Sequence, residues 1–318
     1  VVPYPADITP RERFALSCSR VQRRCNRCSL LNQQVSAIEH PAFTSTRTHA
    51  HPPSPPSLPI ALVACLHCGI VVCRVTATRA REIVKTVQAF GERNAPKSIE
   101  PPPKTDSSAD WFQAWSRKLV EASHRTPLVV GVFQNQPTEE IQRIVSETGL
   151  DLVQLHGDEG IEACAECGVP ALRVVHVPAA GEEEVATRAD NGLSSFPSAA
   201  ARAEAVLAQV PPNFAAGVLL DTSVNGAQGG TGIPFDHEVA KLVGQAGVPV
   251  VVAGGLNSGN VELCVMLAES FGVDVSSGVE RSKGIKDQEE VQEFMKQARL
   301  AHKDLAAKLK KEGGEQRT

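Results

Sequence analysis

The chain has 318 residues, with 36 Asp and Glu against 32 Lys and Arg; the formal net charge of −4 gives no electrostatic case for nucleic acid as the main partner. Aromatic residues make up 4%, too few for base-stacking platforms. Nine cysteines, an odd number in a chain of this length, do not make a secreted disulfide framework and point to a reducing, cytoplasmic setting.

Residues 1–57 are rich in Arg, Ser, Thr, His and Gln and end in HPPSPPS at His51–Ser57, the composition of an unpacked tail or linker. No basic-then-apolar leader opens them. Cys25 and Cys28 form one CxxC, Cys65 and Cys68 a second. Four thiolates suit zinc, but the second pair sits in an apolar run, so free thiols are the plainer reading and no metal is expected. That run, Leu58–Val75, is interrupted by His67, two central cysteines and Arg74, which argues against a membrane span. Its β-branched part, Ile60–Val72, suits one strand or two short ones.

Over Arg79–Phe90 the residues Ala80, Ile83, Val84, Val87 and Phe90 share one helical face. Gly91–Asp110 is a polar, proline-rich interruption, and Trp111–Ala122 returns to helical spacing. Alternation is then regular. Strands are predicted at Leu128–Phe133, Leu152–Leu155, Ala171–Val177, Val218–Leu220, Val248–Ala253 and Val273–Ser276. Helices are predicted at Thr138–Thr148, Gly160–Cys167, Ala199–Val210, Phe235–Ala246 and Ser258–Ser270. Gly149, Gly168 and Gly247 stand where helices stop, Asn257 is placed as an N-cap, and Asp287 with Glu290 reads as a capping box opening a charged helix. Cys164 and Cys167 fall on one helical face, which suits core packing.

Buried strands alternating with helices dictate a parallel sheet. Six strands follow Leu128 and Ile60–Val72 supplies the rest, so the predicted fold is α/β, a (β/α)8 TIM barrel whose first one or two staves are incomplete or irregular. A doubly wound sheet is the alternative, but neither a GxGxxG turn nor a Walker lysine motif supports it. The expected division is a low-complexity segment over 1–57, a barrel over 58–300, and a charged helix end with a tail over 301–318.

Four strand ends carry chemistry. Leu155 is followed by His156-Gly157-Asp158, Leu220 by Asp221, Ala253 by Gly254-Gly255-Leu256, and Val275 by Ser276-Ser277-Gly278-Val279-Glu280. In a barrel these ends converge on one face, where active sites sit. A strand-end aspartate serves equally as a helix cap or turn residue, and glycine pairs are common in turns. Two successive glycine ends late in such a pattern nevertheless suit a phosphate clamp of free backbone N–H groups.

The segments LVVGVFQNQP, DLVQLHGDE, LLDTSVNGAQGGTGIPFD, VPVVVAGGLNSGNV and GVDVSSGVERSKGIKD, in this order over about Pro127–Ala298, resemble the phosphoribosylanthranilate isomerases of tryptophan biosynthesis. Insertions near 92–110 and 178–200 resemble those of fungal members. The resemblance implies a (β/α)8 barrel that carries out an Amadori rearrangement of N-(5-phosphoribosyl)anthranilate without cofactor or metal. It implies that Asp221 is the general acid protonating the ribose ring oxygen. Gly254, Gly255, Ser276, Ser277 and Gly278 would bind phosphate, and Gly230 and Thr231 would lie over the substrate. His156 would stand at the active-site face, touching substrate or fixing a loop by hydrogen bonds. A small phosphosugar is the implied substrate, and fusion to, or association with, other tryptophan-pathway enzymes is open.

The front departs from the family pattern of a strand ending in Lys-hydrophobic-Cys-Gly, a helix, a second strand and an arginine loop. Cys68-Gly69-Ile70 resembles the motif whose cysteine is the general base, and Arg74-Val75-Thr76 resembles the arginine loop. Only five residues separate Ile70 from Thr76, too few for a helix and a strand. Two functional expectations follow: an isomerase using Cys68 as base, or a phosphate-binding barrel without its base. The histidine-pathway isomerase and indole-glycerol-phosphate synthase fit less well, since they would want an aspartate base on the first strand, or a lysine with paired glutamates.

Overall fold

The computed structural model describes residues 75–89, 99–123, 127–179, 193, 196, 198–224, 227–228 and 235–315, together with two strands, β1 (Gln33–Val35) and β2 (Leu62–Leu66). The sheet continues through β3 (Leu128–Phe133), β4 (Leu152–Leu155), β5 (Ala171–Pro178), β6 (Gly217–Val224), β7 (Ala227–Gln228), β8 (Val250–Val252) and β9 (Gly272–Val273). Its order is β1-β2-β3-β4-β5-β6-β8-β9, with β7 folded back antiparallel on the end of β6. Seven strands, β2 to β6 with β8 and β9, run parallel in succession. The fold is of the TIM-barrel type, with sequential strands as neighbours throughout.

Every residue of β3 and β4 is buried, as strands covered on both faces require. One face meets the helices α1 (Ala77–Gln88), α3 (Thr138–Thr148) and α4 (Ala163–Glu166), whose apolar stripes join Val129, Phe133, Val153 and Leu155. Farther round, Val175, Leu220 and Val252 pack with α5 (Ala199–Gln209), α6 (His237–Gln245), α7 (Val261–Ala268) and α8 (Gln288–Glu315). Val174, Leu219, Val251 and Ala253 form a small separate cluster on adjacent strands. The register pairs Val174 with Leu219 and His176 with Asp221, so the two polar side chains continue that cluster's face toward the strands' C-terminal ends.

The irregular front takes a specific form. Ile60–Val72 supplies one parallel strand, Leu62–Leu66, opposite Leu128–Val132. Within the stretch expected to be unpacked, Gln33–Val35 pairs antiparallel with that strand. Gln33–Val35 thus covers the free edge of β2.

Helix α2 (Ser108–Ser123) begins before the predicted Trp111, because the Ser107 hydroxyl and carbonyl cap its first turn. It runs past the N-terminal ends of the strands. Trp111 Nε1 donates to the Ala215 carbonyl just ahead of β6, and Ala109 borders Gly247 ahead of β8. Trp111, Phe112, Trp115 and Leu119 are all buried.

Two capping expectations are corrected. Asn260, not Asn257, is the N-cap of α7; the Asn257 side chain instead accepts the Gly259 N–H, and the Asn257 N–H donates to Asn260 Oδ1. Asp287 does cap α8, accepting from Glu289 and Glu290, but the Glu290 carboxylate reaches Ser258 rather than returning to the cap. The Asp287 N–H that a capping box would satisfy already donates to the Val279 carbonyl. The last predicted strand is also shorter than Val273–Ser276. After β9 the chain makes a 3-10 turn, Ser277–Val279, and a hairpin of β10 (Glu280–Ser282) with β11 (Ile285–Lys286).

Candidate active site

Asp221 lies in β6 with its side chain 8% exposed, and Oδ1 accepts the N–H of Thr222. The other oxygen, Oδ2, is 3.5 Å from Nε2 of His156, the first residue beyond β4. Gln154, two residues back on β4, presents its amide nitrogen to His156 Nδ1 at 3.3 Å. An amide nitrogen can only donate, so Nδ1 accepts and Nε2 carries the proton that faces Asp221. Acid, imidazole and amide thus form a chain across the strand ends.

A third group completes this cluster. His176 of β5, directly opposite Asp221 in the register, stacks obliquely on His156 with ring centroids 5.1 Å apart. Burial, followed by the neighbouring His156, lowers its pKa from 6.5 to about 4, which keeps it neutral. Neither of its ring nitrogens has a hydrogen-bond partner among the described residues. His176 was absent from the sequence expectation, although a histidine inside the buried run VVHVP was itself a signal.

The two glycine turns meet. Gly254 and Gly255 have φ of 86° and 66°, the left-handed region where a side chain strains. A Cβ on Gly254 would stand 2.6 Å from the Thr222 nitrogen, beside Asp221. A Cβ on Gly278 would overlap the Leu256 carbonyl, so the turn after β9 rests directly on the turn after β8. Asn260 Nδ2 donates to the Gly255 carbonyl and holds the first turn. Lys286 donates to the Ser276 carbonyl at 2.7 Å and to Glu280 at 2.9 Å, and so holds the second. Among the described residues no acceptor takes the N–H of Gly254, Gly255, Ser277 or Gly278. These four donors present the kind of surface a phosphate needs.

Glu159 braces the opposite side. Its side chain is 4% exposed, accepts from the N–H groups of Asn135 and Gly157, and pairs with Arg173 at 3.1 Å. Arg173 also donates to the Gly157 carbonyl, which fixes the loop that carries His156. No motif signalled this bracket, because it joins the loops after β3 and β4 to Arg173 within β5.

The expected site residues therefore divide. Asp221 and His156 meet, as do the turns of Gly254, Gly255, Ser276, Ser277 and Gly278. Cys68, Arg74, Gly230 and Thr231 lie outside the described residues. Cys164 and Cys167 are buried and free, and burial pushes both thiols up to about 12, so neither is a reactive centre. No described helix is long and apolar enough to cross a membrane.

The profile of the N-(5'-phosphoribosyl)anthranilate (PRA) isomerase family matches residues 76–297, a span that starts just beyond Cys68 and Arg74. "Tryptophan biosynthesis protein TRP1" of Phytophthora nicotianae is 42% identical over 225 residues, covering 70% of this chain but only 40% of that longer relative. "N-(5'-phosphoribosyl)anthranilate isomerase" of Desulfitobacterium hafniense (strain DSM 10664 / DCB-2) is 38% identical over 184 residues, 54% of this chain and 76% of the relative. The crystal structure of phosphoribosyl anthranilate isomerase from Thermotoga maritima shares the fold, with a TM-score of 0.50 at 24% identity over 74% of this chain and 87% of that one. With the profile spanning most of the barrel, the chain belongs to the N-(5'-phosphoribosyl)anthranilate isomerase family.

Proposed function

We propose that this chain rearranges N-(5-phosphoribosyl)anthranilate to 1-(2-carboxyphenylamino)-1-deoxyribulose 5-phosphate, the reaction of its family. One observation carries the reading. A nearly buried carboxylate of β6, Asp221, faces an imidazole across the mouth that also holds two glycine turns whose N–H groups meet no acceptor among the described residues. The substrate phosphate is held by Gly254, Gly255, Ser277 and Gly278, with Ser276 kept in place by Lys286. Asp221, as general acid, delivers a proton to the ribose ring oxygen as the C1–O bond breaks, and the anthranilate nitrogen lone pair forms a C=N bond to C1. Removal of the C2 proton yields an enolamine, which tautomerises to the ketone. Resemblance supports Cys68 as the base for that step, Arg74 as a contact to the anthranilate side, and Gly230 and Thr231 as a cover. His156 directs Asp221 through Nε2 and is itself oriented by Gln154.

A relative named "Multifunctional tryptophan biosynthesis protein", from Phycomyces blakesleeanus and 31% identical over 243 residues that make up 28% of its length, supports a setting beside further enzymes of the tryptophan pathway. Turnover of the phosphoribosylanthranilate by the purified chain tests the proposal. Asp221→Asn keeps the shape and removes the proton, so kcat is expected to fall by about 10²–10⁴ with little change in binding. Near-normal turnover in that variant removes Asp221 from the role, and turnover that survives Cys68→Ser removes Cys68.

A further inference from the structure

We infer that His156, His176 and Asp221 form a site for one divalent cation of the zinc class, whose binding inhibits the enzyme. The donor atoms of these three side chains all lie within 4.8 Å of one another. The 3.5 Å between His156 Nε2 and Asp221 Oδ2 is close to the separation of two ligands on one tetrahedral ion, roughly 3.3 Å for metal–ligand bonds of about 2.0 Å. His176 supplies the independent mark of a ligand site: it is 4% exposed, yet neither ring nitrogen has a partner among the described residues. Nothing in the phosphosugar chemistry uses this ring, and a buried imidazole is costly to leave unpaired.

The donor chemistry narrows the ion. Two imidazoles and one carboxylate favour zinc, cobalt or nickel over magnesium and calcium, which prefer all-oxygen sites. His176 and Asp221 stand on adjacent paired strands, so two ligands are fixed by the sheet. His156, with 23% of its side chain exposed, is the one that adjusts and opens the way in. On coordination the Nε2 proton of His156 is lost to solvent and Nδ1 takes one up, while the Gln154 amide turns over to present its oxygen to the new N–H. Three protein ligands leave a fourth tetrahedral position for water.

Inhibition rests on the isomerase reading, whereas binding does not. A cation on Oδ2 holds Asp221 as the anion, and the carboxylate then has no proton to deliver. The test uses the purified full chain with its thiols kept reduced by a phosphine, titrated with Co²⁺ as a visible probe. One equivalent is expected to bind with the visible band of a four-coordinate nitrogen and oxygen ion, without a near-ultraviolet thiolate band. His176→Leu and Asp221→Asn, each confirmed folded by circular dichroism, should each weaken binding by more than about tenfold. Zn²⁺ should displace Co²⁺ and suppress turnover over the same concentration range, with recovery on adding a chelator. Unchanged Co²⁺ affinity in either folded variant, a thiolate spectrum, or no uptake by the parent in the micromolar range overturns the site. The spectrum decides binding even where the parent shows no turnover, so the site and the isomerase reading fail separately.

Discussion

At the scale of single residues, Gly278 carries a constraint that turn propensity alone does not. A methyl group there would overlap the Leu256 carbonyl and drive apart the two turns whose N–H groups face the mouth. Gly278→Ala is therefore expected to lower kcat/KM by about 10²-fold, the scale for an ångström-sized misplacement, and a parent-like value in steady-state kinetics would show that the turns are not coupled. Glu159 is the other case. Removing it as Glu159→Ala strands Arg173, whose side chain is only 12% exposed, and frees the N–H groups of Asn135 and Gly157. A loss of about 3 kcal/mol in urea-induced unfolding is expected, in the range for breaking a buried pair, against under 1 kcal/mol for a surface pair.

At the scale of elements, α2 matters more than a polar, proline-rich approach suggested. Trp111 and Trp115 pack edge to face with centroids 5.9 Å apart, and both lie within the large cluster that includes Leu128, Leu152 and Val248. The helix closes the N-terminal end of the strands, opposite the active-site mouth. Trp115→Ala should cost about 3–5 kcal/mol of stability, measured by denaturant unfolding, while KM of the folded protein stays unchanged. A change in KM without loss of stability would mean that α2 communicates with the mouth.

At the scale of the whole molecule, acid stability is set by buried histidines. Burial holds His176 and His302 down to about 4 from an ordinary value of 6.5, and His237 moves in the same direction. Above pH 6.5 these rings are neutral in folded and unfolded chains alike. As pH falls from about 6.5 toward 4 the unfolded chain takes up protons that the native state refuses, so stability is lost through that window, by up to about 3 kcal/mol for each of His176 and His302. Around His176 the groups that modulate this are His156, Arg173, Asp158 and Asp221, whereas only burial acts on His302. Tm is expected to fall between pH 7 and pH 4.5, and His302→Leu should flatten the fall. An equal slope in that variant would place the acid sensitivity elsewhere.

What the sequence determined by itself is the part written locally. Apolar β-branched runs such as LVVGVF and alternating amphipathic helices dictate a parallel α/β fold. The acid closing LLD and the glycine pair of AGG mark the mouth because a polar residue ending an apolar run and positive φ at Gly254 and Gly255 leave local signatures, whereas the glycine of SSG answers to close packing on Leu256. The five residues between Ile70 and Thr76, too few for a helix and a strand, are likewise read from the sequence alone. Tertiary structure alone decided what depends on contacts between distant residues. It set the Gln33–Val35 strand against β2, the placing of α2 across the strand ends, the diversion of Glu290 to Ser258, and the Glu159–Arg173 bracket. It also set His176 opposite Asp221, because the register between strands far apart in sequence depends on how their two faces pack against each other, which neither strand shows alone.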